Sequence, residues 1–148
     1  MNRASSRKQT LNQIAPDVFA ETPVLFAYLY GSYAKGEAHA LSDLDVAIYV
    51  EGLDPRACLD LELSLALRID EKLDHRVQAD VRVINHLPLR IKGEILKHGV
   101  LIFSREDESR VEFETRIRKL YFDFHPIIRQ HRSAFKEKLL AVHANGLS

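Results

Sequence analysis

The stretch Val24 to Asp45, VLFAYLYGSYAKGEAHALSDLD, constrains the fold of this chain more than any other. Val24 to Tyr30 is a continuous apolar and aromatic run that stops at Gly31, the pattern of a buried strand feeding a tight turn. Ser32 follows, and after ten intervening residues Asp43 and Asp45 open a second strand. In that strand Leu44, Val46, Ile48 and Val50 alternate with Asp43, Asp45, Ala47 and Tyr49, so one face is buried and the other carries two aspartates.

The remaining elements are arranged around these two strands. Leu11, Ile14, Val18 and Phe19 stand at helical spacing, with Pro16 either opening or breaking that helix. Asp54 followed by Pro55 reads as an N-cap and first helical position, and the segment runs to about Arg76. Within it Leu59, Leu61, Leu63, Leu65, Leu67 and Ile69 alternate strictly, as a strand would. Its length, the absence of an internal turn signal and its Leu, Ala, Glu, Asp and Arg content favour a helix.

Val77, Ala79, Val81 and Val83 form the buried face of another strand, whose opposite face carries Asp80. A short helix over Pro88 to His98 should close at Gly99 in the C′ position, ahead of a strand from Val100 to Phe103. A last helical stretch opens near Ser104, with Asp107 three residues on, and should bury Phe113, Ile117, Leu120 and Phe124. Pro126 interrupts it, Ile128, Phe135 and Leu139 extend an apolar stripe, and Asn145 to Ser148 fray. The fold class is α/β: a single domain over residues 1–148, its first ten residues loose, with a small mixed sheet, helices packed on one face and a C-terminal helical segment.

Composition narrows the function. With 21 Lys+Arg against 21 Asp+Glu the formal net charge is +0, so the basic excess of a nucleic-acid binder is missing. A hydrophobic content of 46% supports a core and argues against disorder. The single Cys58 makes neither an intramolecular disulfide nor a zinc cluster, which fits a reducing, cytoplasmic setting, and it reads as a small buried hydrophobe. Arg3, Arg7 and Lys8 are followed by no apolar segment, and nowhere do 18 apolar residues run together, so neither secretion nor membrane spanning is expected.

The chemistry lies in Gly31 to Asp45. A turn at Gly31, without a Cβ, lets backbone N–H groups approach a phosphate, and the Ser32 hydroxyl adds a donor. Asp43 and Asp45, two apart on a strand, project from one face, where two ionised carboxylates repel unless a cation lies between them. Hard oxygen donors suit Mg²⁺ shared with substrate phosphates. If the strand of Asp80 lies beside that of Asp45, three carboxylates can hold two Mg²⁺ ions over an NTP, and Asp80 can take a proton from an attacking hydroxyl. The plainer readings are a simple turn and cap for Gly31 and Ser32, a solvated strand end for Asp43 and Asp45, and a lone half-exposed polar residue for Asp80. Lys35 is as well explained as a solvated loop residue, and no histidine has metal-ligand spacing. Tyr121, Phe122 and Phe124 read as core or interface.

Gly31, Ser32, Asp43 and Asp45 match without a gap the GSx10DxD signature of the minimal nucleotidyltransferases of the DNA polymerase β superfamily, and Asp80 fits that superfamily's third carboxylate. Among small stand-alone members the chain most resembles the MNT antitoxins paired with HEPN-domain ribonuclease toxins. The resemblance implies a polymerase-β-like fold and transfer of AMP from ATP to a tyrosine of the HEPN partner. Asp43, Asp45 and Asp80 would then be the catalytic and metal-binding residues for two Mg²⁺ ions, with Gly31 and Ser32 holding the triphosphate. A heteromeric complex with the toxin is implied, without direct nucleic-acid or membrane binding. A non-catalytic binding antitoxin and an adenylyltransferase acting on a small-molecule hydroxyl are the alternatives.

Overall fold

A computed structural model describes residues 3–31, 34 and 43–123. Four strands form one mixed sheet in the order β3-β2-β1-β4: β1 is Phe26–Tyr30, β2 Leu44–Tyr49, β3 Ala79–Val83 and β4 Val100–Ser104. β1 pairs antiparallel with both β2 and β4, whereas β2 and β3 are parallel. Parallel neighbours need a crossover, here the helix α2, Pro55–Lys72. The other helices are α1, Arg3–Phe19, α3, Leu89–His98, and α4, helical over 107–123.

One face of the sheet packs on α1 and α2. Ala27, Leu29, Leu44, Val46, Ile48, Val81 and Val83 meet Leu11, Ala15, Val18, Leu65 and Ile69 in a single cluster, and Cys58 is buried with them. The alternation that predicted β2 and β3 therefore reports the side of the sheet these helices cover. The C-terminal helical segment lies on the other face. There Phe26, Tyr28 and Ala47 form a second cluster with Ile84, Ile95, Phe113 and Ile117. Phe113 brings α4 onto the Phe26 and Tyr49 end of the strands.

Local chemistry explains the helix boundaries. Asp54 caps α2, its Oδ1 accepting from the Ala57 N–H at 2.8 Å, with Pro55 in the first turn as the sequence predicts. α2 ends at Lys72, short of Arg76, because Asp74 and His75 take left-handed φ of 55° and 56°. Pro16 neither opens nor breaks α1 but sits in its last turn, with the chain helical on both sides. The C-terminal carbonyls of α1 find partners elsewhere in the fold: the Arg105 guanidinium donates to those of Phe19 and Ala20, and Arg68 to that of Val18. α1 begins at Arg3, so most of the first ten residues, expected to be loose, are helical.

Two further expectations change. Gly99 does cap α3 but at φ −75°, not in the left-handed C′ conformation. Glycine is needed there for space, since a Cβ would collide with the Ile95 carbonyl and press on that of Leu29 at 3.1 Å. In α4, Phe113 and Ile117 are buried as expected, whereas Leu120 is 38% exposed and Phe122 81% exposed. The two inward residues suffice because Glu114, between them, ties the helix down. It accepts from the Tyr28 hydroxyl at 2.7 Å and from Arg110 at 3.2 Å. Phe124, Pro126, Ile128, Phe135, Leu139 and Asn145 to Ser148, for which the sequence predicts a buried stripe and a frayed end, lie outside the described residues.

Phe113 lies 5.5 Å from the Phe26 ring centroid and 5.1 Å from that of Tyr49, so it anchors α4 to the second face. Phe113→Ala should lower the unfolding free energy by about 3 kcal/mol in chemical denaturation. A loss under about 1 kcal/mol would mean that α4 is not part of the core.

Candidate active site

The strand register brings three polar side chains into one row. Tyr30 on β1 is the Cα partner of Asp45 on β2, and Asp45 is the partner of Asp80 on β3. Directly paired residues point to the same face, so the row lies on the side of Phe26, Tyr28 and Ala47, opposite α1 and α2. Asp43, exposed, precedes β2 at the same end. The parallel β2–β3 pairing that the three-carboxylate reading required is thus present. It starts where the Leu44 N–H donates to the Gln78 carbonyl at 2.8 Å.

Gly31 closes the row on the β1 side. Its φ of +72° is one that residues with a side chain rarely adopt, and a Cβ at this position would collide with the Asp45 carboxylate oxygen. Glycine is therefore required twice, for the turn and for the close approach of Asp45. Ser32, Tyr33, Lys35 and His39 lie outside the described residues.

The electrostatics follow from this crowding. The Asp45 carboxyl is pushed from 3.8 to about 6, first by burial and then by the negative charges of Asp80 and Asp43, with Arg82 pulling the other way. Burial, followed by Asp45 and Asp80, pushes the Tyr30 phenol up to about 12 and keeps it protonated. Arg82 donates from Nε to Asp80 Oδ2 at 3.3 Å and so holds that carboxylate on the sheet edge. Tyr30 and Arg82 are site residues that motif spacing does not reveal. Two weaker signals were available: Tyr30 immediately precedes Gly31, and Arg82 stands two residues after Asp80 on the same strand face.

The donor set fits a divalent cation. All three acidic groups offer hard oxygen ligands, and the Asp45 value, raised first by burial and then by the charges of Asp80 and Asp43, marks a site where a cation would be favoured. Among the described residues no three His, Cys, Asp or Glu side chains close into a ready-made metal cage. Mg²⁺ does not need one, because it is commonly held by one or two carboxylates together with substrate phosphates.

Carboxylates on adjacent strands of a mixed sheet beside a glycine turn are an arrangement into which a divalent cation and a phosphate would fit. The family model of polymerase β nucleotidyltransferases matches residues 12–108, and the chain belongs to that family. A Methanocaldococcus jannaschii protein assigned as a protein adenylyltransferase is 32% identical over 113 residues, 76% of this chain and 82% of its own length. Solved structures share the fold. One chain of a toxin–antitoxin structure with AMP-PNP aligns with a TM-score of 0.63 at 17% identity, over 87% of this chain and 98% of its own. One chain of the complex of tri-AMPylated Shewanella oneidensis HEPN toxin with MNT antitoxin aligns with a TM-score of 0.60 at 17% identity, over 90% and 98%.

The raised Asp45 value has a consequence for stability. A carboxyl whose value is higher in the folded protein than in the unfolded chain favours the fold when protonated, and this contribution is lost as pH rises through about 6. Asp45→Asn should therefore raise the melting temperature of the metal-free protein at pH 8 by roughly 3 °C, and the gain should shrink at pH 5. Mg²⁺ should stabilise the wild type more than the variant. A variant less stable than wild type at pH 8 would contradict the electrostatic reading.

Proposed function

We propose that this protein is an antitoxin that transfers AMP from ATP to a tyrosine hydroxyl of a HEPN-domain toxin partner. The observation that carries this reading is the row formed by Asp45 and Asp80, with Asp43 and the Gly31 turn at the same sheet end. Membership of the nucleotidyltransferase family supports the reaction class. The relative assigned as a protein adenylyltransferase supports a protein acceptor, and the shared fold with the toxin–antitoxin structures supports the partner.

Asp43 and Asp45 would hold two Mg²⁺ ions with the triphosphate, and Asp80 would complete the site on the acceptor side. When bound, Mg²⁺ would neutralise the charge that develops on the phosphates. Gly31 and Ser32 would hold the triphosphate through backbone N–H groups and the hydroxyl. The acceptor hydroxyl oxygen attacks the α-phosphorus, the bond between the α-phosphorus and the bridging oxygen breaks, and pyrophosphate leaves. Asp80 receives the hydroxyl proton. Arg82, bonded to Asp80, fixes the direction from which that carboxylate meets the acceptor.

ATP as substrate and a lone buried cysteine support a cytoplasmic setting. Among the described residues no helix is long and apolar enough to cross a membrane.

With α-labelled ATP, Mg²⁺ and the HEPN partner, label should appear on a partner tyrosine. Asp80→Asn should reduce the rate by roughly 100-fold or more while ATP still binds, and Asp43→Asn/Asp45→Asn should abolish transfer. Neutralisation of the toxin without any label would establish a binding antitoxin and sink the enzymatic reading. Label on a small-molecule hydroxyl in place of the protein would redirect it.

A further inference from the structure

The strict alternation of apolar residues through α2 has a geometric meaning. Two residues advance 200° around a helix, so a period-2 pattern lays down two apolar stripes on nearly opposite sides. Leu61, Leu65 and Ile69 form the inner stripe against the sheet. Leu59, Leu63 and Leu67 form the outer one and are 53%, 58% and 63% exposed. They span two turns, about 12 Å along the axis. Neither the fold nor the proposed chemistry uses them.

The outer stripe borders a groove of about 450 Å³ between α2 and the outer edge of β3, which no described strand pairs. Leu59, Leu63 and Ala66 form one wall, Val81 and Val83 line the strand edge, and Asp80 lies within the lining. An occupant of this groove therefore lies against Asp80, the residue that would meet the acceptor hydroxyl. The edge itself is guarded against strand addition. The Ala79 N–H donates to Asp70 Oδ1 and the Val83 N–H to Glu62 Oε2, both at 2.8 Å, so α2 side chains already occupy two edge amides. What remains open is an apolar stripe at the spacing that receives a helix bearing apolar residues at i, i+4 and i+7. The exposed Asp60 and Glu71 beside the stripe make it a poor match for an anionic lipid surface.

We infer that the groove between α2 and β3 receives an apolar-faced helix of the acceptor protein and thereby brings the acceptor tyrosine to Asp80. This rests on the adenylyl-transfer reading above and adds the docking surface to it. Leu63→Asp and Leu67→Asp change exposed positions and should leave the melting temperature near wild type. Each should raise the KM for the HEPN partner at least about tenfold with the KM for ATP unchanged. A photo-crosslinking amino acid at position 63, irradiated with the partner in the absence of ATP, should join to an apolar face of a partner helix. An unchanged partner KM would overturn the inference, as would a crosslink to a second copy of this chain, to its own residues 124–148 or to no protein. A crosslink to the partner helix in a protein that transfers no label would instead sink the enzymatic reading and keep the docking surface.

Discussion

Asp45 and Asp80 face each other across two parallel strands, and much of the structure serves to hold them there. Like charges in directly paired positions destabilise a sheet. Here burial adds to the repulsion and pushes the Asp45 carboxyl to about 6. The pairing persists because the neighbouring residues on both strands leave it no alternative. Leu44 and Val46 flank Asp45, Ala79 and Val81 flank Asp80, and all four are buried against the α1 and α2 face. A slip of one residue would turn those apolar side chains outward and the carboxylates into the core. Hydrophobic burial on one face thus positions charge on the other.

The second face carries both α4 and the carboxylate row. Phe26, Tyr28 and Tyr49 take the rings and methyls of α4, whose orientation Glu114 fixes through Tyr28 and Arg110. The Tyr28 phenol is raised far above its ordinary value, first by burial and then by Glu114, and so remains a donor to that carboxylate. Two residues further along β1 the chain reaches Tyr30, opposite Asp45 on β2, and then the Gly31 turn.

Much of this was legible in the sequence because the patterns have local causes. Asp54 and Pro55 announce the start of α2 by themselves, and the alternation around Asp45 and Asp80 reports a one-sided sheet. The adjacency of β2 and β3, which joins the carboxylates, depends on a crossover between distant segments and could only be posed as a condition. Side-chain pairing was less accessible still. Arg82 matters because its Nε reaches Asp80, which two-residue strand spacing allows without requiring, and Tyr30 because register places it opposite Asp45, a relation with no spacing signature. Gly99 shows a glycine chosen for space at an ordinary φ, a reason that no capping rule contains. The leucine alternation in α2 looked like an ambiguity between strand and helix, and its physical content is two apolar stripes on one helix.

The most direct measurement of how these carboxylates are used is anomalous scattering from crystals grown with Mn²⁺ and an ATP analogue resistant to α-phosphate transfer. If Asp43 and Asp45 hold the metal with the triphosphate, the Mn²⁺ peaks lie within coordination distance of both carboxylates and of phosphate oxygens, roughly 2–2.5 Å. Crystals in which the nucleotide is bound and Mn²⁺ lies away from Asp43 and Asp45 would contradict metal-dependent catalysis at this row.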